Sequence, residues 1–192
     1  RAKFCPECAP PVHRAVAQVS GERRQATVLF AALVDSTLTS QQVDAEDFAA
    51  AVLAYQEMGR RAIVEVEGHL ANYLGDGLLG VFGYPRIHED DALRAIRAAL
   101  RLLDGLEELR RQFPTVPLAA RVGIHSGLIV VGEMGSAERS DTSVFGDTPN
   151  IAARVEGFAA AGTVAISQAT FELVERYVTA EDLGRHELKG VI

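Results

Sequence analysis

Three groups of residues carry chemistry by their type and spacing. Asp76 lies in Leu74-Gly75-Asp76-Gly77 between two apolar runs, and Asp-Gly in that setting is a strong hairpin signal. It has two readings: a turn residue selected for its backbone, or a metal-binding carboxylate held at a rigid tip. Asn150 and Arg154 stand four apart, so on a helix both project from one face. An amide beside a guanidinium suits a ribose and a charged phosphoryl transition state; such pairs are also common on plain solvated helix faces. Cys5 and Cys8 form a C-x-x-C, half of a tetrahedral zinc site. The chain encodes no complete zinc site, so partner ligands would lie upstream. A redox pair would need a strand-helix context that is absent, and inert tail cysteines are the third reading.

Several chemistries are ruled out. Residues 75–80 satisfy G-x-G-x-x-G, but a dinucleotide fingerprint must open a helix after a strand. Here a strand-like apolar run ending near Pro85 follows, so that reading is rejected. No G-x-x-x-x-G-K-[ST] occurs. His125 stands next to Ser126 without a third triad member and fits a core or edge histidine; His69, His88 and His186 lack metal-ligand spacing. Nineteen basic against 26 acidic residues leave a formal charge of −7. An acidic chain without a basic stripe is poorly suited to nucleic acid or a membrane surface. It could still bind a triphosphate, because metal ions and backbone amides supply local positive charge. No apolar run approaches the ~20 residues of a bilayer span, and no charged-then-apolar leader opens the chain, so the expected location is cytoplasmic.

The elements that must position these residues follow from apolar periodicity. Hydrophobic residues make up 48% of 192, enough for one α/β core. Residues 9–24 mix Pro, Ser, Gly and charge, which divides the chain into a tail and linker (1–23) and a domain (24–192). Residues 25–34 form a nearly continuous apolar run, suited to a strand buried on both faces, and Asp35-Ser36-Thr37 offers N-cap chemistry. Helical spacing covers 44–67 and 88–113, the second with an acidic first turn. Between them, 69–74 and 78–82 form a hairpin. Residues 118–131 predict one strand or two, and 132–141 a loop or hairpin tip. A helix begins at Thr148-Pro149, with Pro at its first position, and runs to about Ala160. A strand (163–166), a short helix (168–177) and a broken final strand follow. The β-α-β-β-α-β order predicts a ferredoxin-like α+β sandwich.

Together the motifs are far more specific than any alone. Residues 27–37 (TVLFAALVDST), 73–77 (YLGDG), 82–85 (FGYP), 123–127 (GIHSG), 132–135 (GEMG) and 146–154 (GDTPNIAAR) occur in this order. The series resembles class III adenylate/guanylate cyclase domains over about residues 24–192. It is most similar to the bacterial branch in which a zinc ribbon precedes the cyclase and ATPase or helical-repeat regions follow. The Phe-Cys-Pro-Glu-Cys tail fits that branch. The resemblance implies conversion of a nucleoside triphosphate to a 3′,5′-cyclic nucleotide and pyrophosphate, with two Mg2+ or Mn2+ ions, in a head-to-tail homodimer. It implies that Asp76 is a metal ligand, that Asn150 orients the ribose and that Arg154 stabilises the transition state, both from the partner chain. The amides of Leu33, Val34, Asp35, Ser36 and Thr37 would cradle phosphates, and Lys189 falls where the family supplies a phosphate-contacting lysine.

Two departures qualify this expectation. Ala32 stands where the family has its first-strand metal aspartate, and a methyl cannot ligate a metal ion. Asp35, three residues on, belongs to the turn and does not substitute. The motif around Ala32 is otherwise intact, the pattern of a single inactivating substitution. In place of the purine-selecting Lys and Asp of adenine-specific members, the chain has Asn72 and Ser143. Both can donate and accept hydrogen bonds but cannot form that charge pattern, which leaves ATP as the default and other bases open. A catalytically dead nucleotide-binding module acting through dimerisation is the alternative reading.

Overall fold

The computed structural model describes residues 22–134 and 141–187; Cys5, Cys8 and Lys189 lie outside the described residues. Among the described residues, six strands and five helices are arranged as β1 (Glu22–Leu33), α1 (Ser36–Gln42), α2 (Ala45–Val64), β2 (His69–Leu74), β3 (Gly77–Phe82), α3 (Asp91–Gln112), β4 (Ala120–Met134), β5 (Asp141–Phe145), α4 (Asp147–Glu156), β6 (Val164–Ile166) and α5 (Gln168–Val174). The sheet order is β2-β3-β1-β4-β5, with β6 added to β4. The first four strands are thus in the ferredoxin-like order expected of β-α-β-β-α-β. Among the described residues only the β4–β6 pairing is parallel.

β1 is central, and the reason lies in its sequence. Leu29, Ala31 and Leu33 point to one face and pack under α2 and α3; Ala26 and Val28 point to the other, toward Ala152 of α4. A strand covered on both faces needs a nearly continuous apolar run, which residues 26–33 supply with Thr27 as the one polar member, its buried hydroxyl hydrogen-bonded to that of Ser126. On the α3 side, Ala95, Ala98, Ala99, Leu102 and Leu106 form the stripe buried against the sheet. Small residues there let the helix approach closely.

β4 pairs with β1 along one edge and shares its other edge between two strands. β6 takes Val122–Ile124 and β5 takes Val130–Met134. In the interval between them, the Thr148 hydroxyl of α4 donates to the Leu128 carbonyl at 2.7 Å. The expected stretch 118–131 therefore contains one strand, not two, starting at Ala120, because the β1 ladder runs unbroken from Glu22↔Val131 to Leu33↔Ala120.

The structure departs from the sequence expectation at several boundaries. Asp35 precedes α1 with φ 53°, and its side chain caps nothing; it is the next helix, α2, that has an aspartate cap, Asp44, which accepts from the amides of Glu46 and Asp47. α3 starts at Asp91 rather than His88, its carboxylate accepting from the His88 amide. α4 starts at Asp147, so Pro149 is its third residue, not its first, and the helix ends at Glu156. The loop expected over 132–141 gives way at its ends to β4, which continues to Met134, and β5, which starts at Asp141. Residues 178–187 form no final strand. Gly184 has φ +81° and its amide donates to the Asp182 side chain, a turn where a strand would need extended backbone.

α4 rests directly on β4 at Gly123. A Cβ there would stand 2.2 Å from the Glu156 nitrogen and 2.3 Å from the Ala152 carbonyl oxygen, both backbone atoms that cannot swing aside. Gly123→Ala should therefore lower unfolding free energy by about 3 kcal/mol, the upper end for overpacking, as read by urea denaturation.

Candidate active site

The β2–β3 turn carries Asp76. The ladder closes at Leu74↔Gly77, and Gly75 has φ +64°, a left-handed conformation that side-chain-bearing residues rarely adopt. The turn therefore needs glycine where the sequence has it. Asp76 is half-buried, and its carboxylate makes no hydrogen bond or ion pair among the described residues. The Gln56 amide donates to the Gly75 carbonyl at 2.8 Å. Beneath the turn, Tyr55 is fully buried and its hydroxyl has no partner among the described residues. Burial, then the charge of Asp76, pushes its phenol far above the usual range.

Ala32 reaches the same place from β1. The β1–β3 ladder ends at Ala31↔Leu78, so Ala32 is level with the tip that bears Asp76. The structure thus brings together the two positions that the motif series pairs, and one of them presents a methyl. Across the sheet, Ala32 pairs with Arg121. The Arg121 Nε donates at 2.8 Å to Glu156, a carboxylate almost wholly buried at the end of α4. Sequence reasoning missed Arg121. The signal was present: Leu118, Ala120, Val122 and Ile124 alternate toward one face, which leaves Arg121 on the face of Ala32.

The proposed phosphate-binding turn is only partly free. The Val34 amide is committed to the Ala119 carbonyl at 2.8 Å. The amides of Ser36 and Thr37 open α1 without a side-chain cap, and Asp35 is exposed. Asn72 lies exposed on β2 just past a bulge, opposite Leu79; Ser143 lies on β5 opposite Gly132. The sheet curls so that β2 and β5, its two outer strands, approach each other.

Asn150 and Arg154 share one face of α4, as their spacing predicted. Asn150 is exposed; Arg154 is partly buried, and its Nη1 has no partner among the described residues. No hydrogen bond or ion pair joins either residue to the β2–β3 turn. His125 is half-buried, with Nδ1 2.8 Å from the Ser167 hydroxyl. A chain of hydroxyls extends from the part-buried Ser167 through the buried Thr170 and Ser126 to Thr27. This is the structural histidine that the sequence suggested.

Mg2+ keeps several waters and needs only one or two carboxylates beside substrate phosphates, so the unpaired Asp76 fits one ion arriving with a nucleotide. Ala32 offers no side-chain oxygen to bridge a second ion. Among the described residues no group of three or more His, Cys, Asp or Glu side chains is placed to hold a metal. None of their helices is long and apolar enough to cross a membrane.

This fold and motif set define a nucleotidyl cyclase domain, and comparison with known proteins agrees. The adenylate and guanylate cyclase catalytic domain family matches residues 19–191; the chain belongs to this family. It is similar to Adenylate cyclase 1 of Rhizobium meliloti, 29% identical over 138 residues, which cover 70% of this chain and 21% of that protein. Among solved structures, the adenylyl cyclase CyaB from P. aeruginosa superposes with a TM-score of 0.83 at 26% identity, covering 90% of this chain and 91% of that one. The guanylyl cyclase Cya2 superposes with a TM-score of 0.84 at 31% identity, covering 89% and 88%. The chain spans 16% to 36% of the length of the curated relatives it matches.

Burial lowers the pKa of His125, and of His69, below the usual 6.5. A lowered imidazole pKa means that the fold favours the neutral ring. The associated stability is fully present above the unfolded-state value and is lost as pH falls through the folded one. The urea midpoint should therefore drop between pH 7 and pH 5, and His125→Gln should show a shallower drop, with His69 supplying the remainder.

Proposed function

We propose that the chain is a class III nucleotidyl cyclase that takes a nucleoside triphosphate, ATP by default, to a 3′,5′-cyclic nucleotide and pyrophosphate, with turnover impaired by Ala32. The observation that carries this is the convergence of position 32 and Asp76 at one end of β1 and the β2–β3 turn. In the reaction the ribose 3′-oxygen bonds to the α-phosphorus and the bond to the β-phosphate oxygen breaks. The hydroxyl proton passes to solvent and pyrophosphate leaves.

Asp76 would hold the divalent ion. When bound, Mg2+ or Mn2+ lowers the pKa of the 3′-hydroxyl and neutralises charge on the phosphates. Arg121, one-third exposed beside Ala32, offers a guanidinium toward the polyphosphate, as do the Ser36 and Thr37 amides; Lys189 is proposed for the same group. Asn150 and Arg154 have no bond to their own chain's turn, which supports their action on a second copy in a homodimer with shared sites. There Asn150 orients the ribose, and the unpartnered Nη1 of Arg154 suits the charge that develops at phosphorus. Asn72 and Ser143, on strands that approach each other, would read the base. The solved relatives include both an adenylyl and a guanylyl cyclase, in keeping with an open choice. Cys5 and Cys8 are proposed as half of a zinc ribbon completed by ligands elsewhere, and the location as cytoplasmic.

Ala32 itself favours a second reading, a nucleotide-binding module that signals by dimerisation without turnover. Product formation from ATP, GTP, CTP and UTP in Mg2+ and in Mn2+, compared between this chain and Ala32→Asp, separates the two. The expected gain on restoring the carboxylate is about 100-fold, the effect of several kcal/mol of metal-dependent stabilisation. No gain for any nucleotide would leave the non-catalytic module.

A further inference from the structure

The turn that bears Asp76 is short and exposed, and backbone pairing alone fixes only its two ends. Its peptide link between Gly75 and Asp76 has one external restraint, the 2.8 Å bond from the Gln56 side-chain amide to the Gly75 carbonyl. That carbonyl belongs to the same peptide plane as the Asp76 nitrogen, so holding it sets the orientation from which the Asp76 side chain departs.

The donor is itself well anchored. Gln56 follows Tyr55, which is fully buried in the core with Leu78. One turn further along α2, Gly59 meets β3 so closely that a Cβ would stand 2.3 Å from Leu78 Cδ2. Leu78 is two residues past Asp76. The helix that supplies the bond is therefore seated on the strand that leaves the turn, with no play between them. No atom outside its chain neighbours lies within 4 Å of a Cβ placed on Gly75, so packing around that residue does not hold the turn.

We infer that Gln56 is a positioning residue: its amide fixes the Gly75–Asp76 peptide and thereby aims the Asp76 carboxylate at the divalent ion of an incoming nucleotide. This rests on the reading of Asp76 as a metal ligand. Outer partners that orient a ligand cost about 10- to 100-fold in metal affinity when removed. A neutral bond to an exposed carbonyl contributes little to global stability, so affinity and stability should separate.

The test uses the 192-residue chain and three proteins: parent, Gln56→Met, which keeps length and loses the donor, and Asp76→Asn. Mn2+ binding in the presence of a non-hydrolysable ATP analogue is read by loss of the free-ion electron paramagnetic resonance signal. Amide hydrogen exchange over residues 74–78 and the thermal midpoint are read alongside. The inference expects Gln56→Met to weaken Mn2+ binding about tenfold, to speed exchange in the turn and to leave the midpoint unchanged. Parent-like Mn2+ affinity in Gln56→Met, with binding lost in Asp76→Asn, overturns the role of Gln56 alone. Parent-like affinity in Asp76→Asn overturns the ligand reading, and the positioning role falls with it.

Discussion

β1 is hydrogen-bonded along both edges and covered on both faces, and each part of the site takes its position from that strand. Its β3 ladder carries register to the Asp76 turn, its β4 ladder sets Arg121 across from position 32, and α4 packs over its far face. A strand confined in this way cannot slip, because a shift of one residue would exchange every side chain between two filled faces. The place of residue 32 is therefore fixed by packing, whatever side chain occupies it. An alanine there leaves the scaffold intact.

The same logic explains why the ion pair of Arg121 and Glu156 is consequential. Glu156 is nearly buried, so a carboxylate left there alone would be costly, whereas the pair as a unit is tolerated. It ties β4 to the end of α4 two residues beyond Arg154. The half of the site built on β1 and the half built on α4 are thus mechanically joined within one chain, although each is proposed to act on a different nucleotide.

Much of this was legible in the sequence, for identifiable reasons. The apolar run of 25–34 announced a two-faced strand, Gly75-Asp76-Gly77 announced its turn, and the long amphipathic stretches announced α2 and α3, because each depends on local pattern. Ferredoxin-like order followed from the succession of elements. Helix boundaries at Asp91, Asp147 and Glu156 were missed because tertiary contacts set them: Asp91 is held by the His88 amide, and α4 is positioned by Gly123. Arg121 was missed because its meaning comes from Ala32 across a ladder, a relation between residues 89 apart. The committed Val34 amide was illegible for the same reason, since its acceptor, Ala119, is remote in sequence.

Between β6 and β5, the outer edge of β4 would offer unpaired carbonyls to any extended peptide. The Thr148 hydroxyl occupies the Leu128 carbonyl within that gap, and the body of α4 stands behind it. An exposed stretch of edge is a template for aggregation, and here the helix that bears Asn150 closes it. The helix proposed to present polar groups to a ligand thus also shields the sheet from foreign strands.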